Sequence, residues 1–352
     1  MTVVHSRFRK DKQMNKIQKI LLFTVCILGL FGVNVEAADM KYSIEANIPE
    51  NQIDKNLTYF DLKMEPGQKQ TISLTLRNHS DKASTFTIEP HTADTNRNGV
   101  IDYSKKLEKK DSSMKYSFEE LITGETKHTL QPNEEKKVEF TIQMPEESYD
   151  GIILGGFYIH KQADNADKEE EKSVQIKNDY SYVIGVKLTE TSNEVEPKLQ
   201  LNEVKPNLEN YRTVVTANLQ NTEAVIVSGL SVDAKVYKKG SNDVLHETKK
   251  DGMSMAPNSN FDFAINRDNQ ELKPGKYHLK LAGKDKMGRT WDFEKDFEIK
   301  GKESKSLNKD AVELKDNNTK LYIIIGVCVF LIAILAVILI VMMKKRKSND
   351  VE

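Results

Sequence analysis

The stretch Asp94-Thr95-Asn96-Arg97-Asn98-Gly99-Val100-Ile101-Asp102-Tyr103 spaces its oxygen-bearing side chains as the front half of a calcium loop does. Asp94, Asn96 and Asn98 fall at loop positions 1, 3 and 5, Gly99 at the turn position 6 and Asp102 at position 9. Position 12, where a bidentate Glu should close the shell, is Lys105, and no incoming helix is evident. A structural Ca2+ is the one cofactor this spacing suggests. The competing reading is an Asx-rich turn, in which Asn and Asp bond their own backbone and Gly99 takes a positive φ. The seven histidines include no metal-binding H-x-x-x-H pair, and the chain holds no G-x-S-x-G, P-loop or G-x-G-x-x-G. His79-Ser80-Asp81 is adjacency in sequence, not triad geometry. A glycoside hydrolase would need two carboxyls roughly 5–9.5 Å apart across a cleft, and nothing in the pattern builds one. No catalysis is therefore expected. Ligand recognition is the better supported theme. Tyr59, Phe60, Tyr103, Tyr116, Tyr149, Tyr158, Tyr180 and Tyr182 lie in or beside polar segments. Ring faces with polar neighbours hold sugars, although core packing explains most such rings more simply.

The elements that would position these residues read as strands. Ile72, Leu74 and Leu76 alternate with polar residues, as do Val138, Phe140, Ile142 and Met144. The same period recurs at Val215–Leu219, Leu230–Val236 and Tyr277–Leu281. Period-two alternation means one buried and one wet face, and its repetition with turns between points to antiparallel sandwiches. Four turn pairs precede such strands: Pro66-Gly67, Pro132-Asn133, Pro257-Asn258 and Pro274-Gly275. Proline presets the first corner, and Gly or Asn tolerates the left-handed second. Two pairs fall in each half, which suggests two sandwiches, at 40–190 and 197–300, linked near Glu194–Pro197. The run Gly151–Ile159 is apolar on both faces and reads as a central strand, with Gly155-Gly156 marking a bulge or a close backbone approach. One short helix is expected at Ser117–Ile122. Residues 163–172 read as an acidic loop tip, and Trp291, the single tryptophan, as a core anchor.

The ends carry different signals. Residues 1–37 combine a basic start, the uncharged run Ile20–Val33 and a small-residue exit at Glu36-Ala37-Ala38, the grammar of a secretory signal peptide. Leu321 to Met343 is free of charge and long enough to be expected as a single membrane-spanning helix, reached through a polar stalk at 301–320. Lys344-Lys345-Arg346-Lys347 opens a basic tail, 344–352, that would stay cytoplasmic. Cys26 and Cys328 lie within these two apolar runs, so the region between them holds no disulfide, thiol nucleophile or cysteine metal site. Residues 38–320 carry a net charge of about −7, which argues against nucleic acid as a partner.

The linear order of motifs is more specific than any one of them. It runs Glu65-Pro66-Gly67-Gln68, Thr95 to Tyr103, Asp150-Gly151-Ile152-Ile153-Leu154-Gly155-Gly156-Phe157 and Tyr182-Val183-Ile184-Gly185-Val186. A second module follows with Ala217–Asn221, Met255–Ser259, Leu272–Tyr277 and Trp291-Asp292-Phe293. This order resembles the WxL-interacting proteins of low-GC Gram-positive bacteria over about residues 40–347. The resemblance implies two tandem immunoglobulin-like domains, the first peptidoglycan-binding and the second host-binding. It also implies a WxL-domain surface protein as partner at the cell wall. The expectation is thus an all-β protein of two tandem immunoglobulin-like β-sandwiches with one C-terminal transmembrane helix. It would be a non-enzymatic, membrane-anchored, cell-surface binder of WxL-domain proteins or peptidoglycan. An adhesin for host matrix or serum proteins, acting through the second domain, is the alternative, and a wall hydrolase the remote one.

Overall fold

The computed structural model describes residues 41–162, 180–314 and 324–338. The expected signal peptide, the acidic loop tip at 163–172 and the basic tail lie outside the described residues.

Alternation of apolar and polar residues becomes two pairs of packed sheets. In the first pair, β1 (Tyr42–Asn47), β3 (Lys69–Asn78), β9 (Glu135–Gln143) and β7 (Ile122–Gly124) form a four-stranded sheet in the order β1-β3-β9-β7. Against it lies a five-stranded sheet made of β2 (Phe60–Lys63), β11 (Ser181–Thr189), β10 (Ile153–Lys161), β4 (Ser84–Thr92) and β8 (Lys127–Leu130), in that order. Every pairing in these sheets is antiparallel except β11 with β2, which is parallel. In β9 the inward Val138, Phe140 and Ile142 are buried between exposed Glu139, Glu135 and Gln143. Phe60, Phe86, Phe118, Phe140 and Phe157 are fully buried at the centre. Each stabilises the fold by about 1.5–3 kcal/mol relative to exposure.

The second pair is built from β12 (Leu199–Glu209), β13 (Arg212–Asn221) and β16 (Ser259–Asn266) on one side. On the other lie β15 (Val244–Met255), β14 (Val227–Lys238), β17 (Gly275–Lys284) and β18 (Thr290–Ile299), in the order β15-β14-β17-β18. The edge strands are blunted. β15 breaks register with β14 at three points, and the opposite edge, β18, alternates Glu294, Lys295 and Asp296 across its exposed middle. Bulges and charges of this kind deter sheet-to-sheet aggregation. Trp291 is partly buried and packs on this core from edge strand β18.

Turn chemistry behaves as its residue types require. Asn133 and Asn258, each after a proline, take φ of 58° and 48°. Pro274-Gly275 instead opens β17 directly. The expected short helix is a 3-10 turn, Phe118–Leu121, with the Glu120 carboxylate accepting from the Ser117 N–H at 3.3 Å. Of the two readings of Gly155-Gly156, close approach holds and the bulge does not. The register of β10 with both neighbours is unbroken, while a Cβ on Gly155 would lie 2.2 Å from Phe118 Cγ.

Two expectations for the C-terminal part need correction. Residues 301–310 are not stalk but a helix, α1 (Gly301–Asp310), laid on the second sandwich. Its buried Ser304 donates through Oγ to the Leu272 carbonyl at 2.9 Å, and Asn308 brackets the same residue. The single membrane-spanning helix expected at Leu321 to Met343 is not borne out among the described residues. Residues 324–338 are helical and exposed, but no helix among the described residues is long and apolar enough to cross a membrane. Positions 321–323 and 339–343 lie outside the described residues.

Candidate functional site

The segment between β4 and β8 is where the suspected calcium loop lies, and it makes two contacts of different kinds. One is with the second sandwich. Asp94–Thr95 (β5) and Ile101–Asp102 (β6) form a two-stranded ribbon that brings Asp94 opposite Asp102. Asn96 Oδ1 accepts from the backbone N–H groups of Asn98 and Val100, and Asp102 Oδ1 accepts from Ser104 N–H. These are Asx-turn bonds, and they occupy oxygens that an ion would need. Burial pushes the Asp94 carboxyl up, helped by the charges of Asp102 and Asp111. Burial acts the same way on Asp102 but is outweighed by hydrogen bonds from Ser104 and the nearby Lys105, so its pKa falls. Among the described residues no group of three or more His, Cys, Asp or Glu side chains is placed to hold a metal.

The ribbon instead grips its neighbour. Thr95 Oγ1 lies 2.6 Å from Ser259 Oγ and accepts from Ala256 N–H at 2.9 Å. The Gly99 carbonyl accepts from Ser254 N–H at 2.7 Å. Farther along, the Asp111 carboxylate accepts from the Gln220 and Asn260 amides, both at 2.6 Å, and Ser113 accepts from Asn258. Ala93, Leu154 and Ala256 close a small apolar patch beneath these bonds.

The second contact is with the outer face of the five-stranded sheet. There Tyr103 folds back over β10, and His91 Nδ1 donates to its carbonyl at 2.8 Å, which fixes the histidine tautomer. Outward residues of β4, β10 and β11 line up by register. Gly156 sits between His91 and Gly185, and Tyr158 between Glu89 and Val183. The paired glycines leave the sheet low: a Cβ on Gly156 would lie 3.2 Å from Tyr103 Cδ1, while Tyr59 stands 3.8 Å from where a Cβ on Gly185 would be. Beside this trough the Tyr158 ring stacks on His91 at 5.4 Å and tilts toward His160 at 5.5 Å. His160 Nε2 lies 2.8 Å from Thr87 Oγ1. Burial raises the Tyr103 hydroxyl pKa, with a smaller contribution from Tyr59. Tyr59 is 39% exposed and Val183 is also open. Lys187 and Asp61, paired at 3.2 Å, border the strip.

Apart from Tyr180, which is exposed just before β11, the aromatic residues singled out from sequence separate into two groups. Phe60 is core, Tyr182 packs on Tyr42, and Tyr116 and Tyr149 pack edge-on against each other. Tyr59, Tyr103 and Tyr158 gather on the outer face, joined by His91 and His160, which sequence reasoning did not single out. Alternation along Gly156, Tyr158 and His160 in β10 was the available signal for them. His79 contacts Ser43 at 2.8 Å on an exposed turn.

Comparison with known proteins follows the same division. Residues 42–161 match the family described as WxL Interacting Protein, peptidoglycan binding domain. Residues 171–309 match the one described as WxL Interacting Protein, host binding domain. The second match begins before β11, a strand that hydrogen-bonds into the first sandwich. No curated protein matches the chain. Solved structures with similarity include a chaperone–tip adhesin complex of CFA/I fimbriae, with 11% identity, 71% of this chain and 97% of that chain covered, and a TM-score of 0.32. The E. coli chaperone DraB is similar at 12% identity, covering 74% and 98%, with a TM-score of 0.28. The CsuC–CsuE chaperone–tip adhesion subunit complex of Acinetobacter baumannii is similar at 12% identity, covering 66% and 93%, with a TM-score of 0.30. Two family matches in the expected order span most of the chain, and it belongs to the WxL-interacting proteins, with a peptidoglycan binding domain followed by a host binding domain.

Proposed function

We propose that the chain is a non-enzymatic surface protein whose first sandwich holds wall glycan on the outer face of its five-stranded sheet. The observation that carries this reading is the low trough at Gly156 and Gly185, walled by Tyr59, Tyr103 and Tyr158. Sugar C–H faces pack against such rings, and Glu89, Lys187 and Thr87 stand close enough to bond hydroxyl and acetamido groups. A sheet face of this kind binds without activating water or a nucleophile, which fits a holding role. The second sandwich then presents the host-facing surface. Its outer face on β14, β15, β17 and β18 is a lattice of opposite charges, among them Lys235–Asp233, Lys249–Glu247 and Lys280–Glu294. A WxL-domain protein is the partner this arrangement would keep at the wall.

Co-sedimentation with purified cell wall tests the reading. Wild-type protein should pellet with the wall, and the double variant Tyr59→Ala/Tyr158→Ala should pellet several-fold less while keeping its thermal transition. Equal retention of both proteins would remove the sheet face from the account. A parallel capture with a purified WxL-domain protein tests the partner, and no capture ends that part.

A further inference from the structure

The seam between the sandwiches opens into two polar clefts, of about 720 and 340 Å3. Arg97 and Asn260 line both, so the clefts form one groove. It runs from the 94–111 segment of the first sandwich onto the outer face of β13 and β16 in the second. We infer that this groove is a binding site for an uncharged sugar chain, separate from the aromatic sheet face and not dependent on it.

Three observations point to that chemistry. The first is charge. The larger cleft is lined by four acids, Asp94, Asp102, Glu108 and Asp111, and four bases, Arg97, Lys105, Lys106 and Lys109. The smaller cleft adds Glu209 and Asp262 without a further base, so the groove carries a slight acidic excess that disfavours a polyanion, and its mixed charges suit a neutral ligand rich in hydroxyls. The second is amide order. Asn202 donates to Asn218, Asn218 to Asn260, and Asn260 to Asp111, at 3.0, 3.0 and 2.6 Å. Each amide in this chain is fixed by its neighbours yet keeps donor or acceptor capacity, because an Asn side chain has two N–H groups and two lone pairs. A ligand meeting such groups does not have to order them, which lowers the entropic cost of binding. The third is open polar capacity at the midpoint. The Arg97 guanidinium and the Asn98 amide are exposed and have no hydrogen bond or ion pair among the described residues. The neighbouring Leu107 and Met114, both half-buried, supply apolar wall for sugar C–H faces.

The test uses the whole protein and two uncharged probes. One is the tetramer of β-1,4-linked N-acetylglucosamine, which has wall-type chemistry. The other is a tetrasaccharide of N-acetyllactosamine units, which has host-type chemistry. Calorimetric titration should show wild-type protein binding at least one, and the tighter probe identifies the source. The double variant Arg97→Ala/Asn98→Ala removes two exposed side chains that hold nothing together. It should weaken that probe by about tenfold, the loss expected when one or two hydrogen bonds disappear, with an unchanged melting temperature. Unaltered affinity in this variant overturns the inference, as does failure of both probes to bind wild type. Tyr158→Ala separates the two sites. If it abolishes binding and Arg97→Ala/Asn98→Ala does nothing, the sheet face stands and the groove falls. The reverse pattern leaves the groove standing and removes the sheet face.

Discussion

Gly99→Ala should cost far more than its size suggests, because the glycine is an interface contact as well as a turn residue. Gly99 has a φ of +65°, and an added Cβ would lie 2.6 to 2.8 Å from Met253 Sδ, Cγ and Cβ. Met253 is only 2% exposed and belongs to the core of the second sandwich. Its Cβ cannot swing aside as the tip of a long side chain does. The left-handed backbone costs an alanine roughly 1–2 kcal/mol. Overpacking against a fixed neighbour adds about 1–3 kcal/mol. The expected destabilisation is therefore about 2–5 kcal/mol. Gly240→Ala is the control, with a φ of +83° and nothing within 4 Å of the added methyl. It should cost the backbone part alone, about 1–2 kcal/mol. Urea titrations followed by tyrosine and tryptophan fluorescence measure both. Because the added methyl pushes on the seam, Gly99→Ala should also split unfolding into two transitions as the sandwiches lose their mutual support. Equal midpoint shifts in the two variants, with one transition each, would refute the idea that this turn clamps the domains together.

Other outcomes follow from the same geometry. Asp111→Ala leaves the Gln220 and Asn260 amides without their shared acceptor and should cost about 1–3 kcal/mol, read from the denaturant midpoint. Burial, with Arg267 nearby, lowers His246 to about 4 from its ordinary 6.5, so the unfolded chain binds the proton more readily. Stability from this group is complete above about pH 6.5 and should fall as pH drops toward 4; His246→Gln should flatten that slope, and an identical slope would contradict the assignment. Calcium at millimolar concentration should leave the melting temperature unchanged, since Asn96 Oδ1 already accepts two backbone N–H groups; a rise of several degrees would return the ion to Asp94, Asn96, Asn98 and Asp102.

Much of the fold was legible because period-two patterning and proline turns are local signals. Val138 to Met144 could only be a half-buried strand, and Asn133 and Asn258 took the positive φ their turns demand. What the sequence did not expose was long-range. The parallel pairing of β2 with β11 joins residues far apart in the chain, and four residues in β2 carry too little pattern to announce it. Residues 301–310 looked like stalk because they are polar, yet Ser304 and Asn308 dock through hydrogen bonds to a single backbone unit, Leu272. The Asp94–Asp102 spacing was read for its oxygens, when its main work is done by Thr95, Gly99 and backbone groups that face the second sandwich. The apolar run near the C-terminus misled in a different way, since hydropathy alone implied a spanning helix and no helix among the described residues is long and apolar enough to cross a membrane. On the sheet face, tyrosines were visible but their partners were not. His91 reaches Tyr158 only through the β4–β10 register, which no local pattern encodes.

Hydrogen–deuterium exchange of the whole protein, with and without soluble wall glycan fragments, tests the central claim most directly. Slowed exchange should concentrate in β10, β11 and the segment around Tyr103, and should vanish in Tyr59→Ala/Tyr158→Ala. Protection confined to the four-stranded sheet of the first sandwich, or to β14, β15, β17 and β18, with none on β10 and β11, would contradict it.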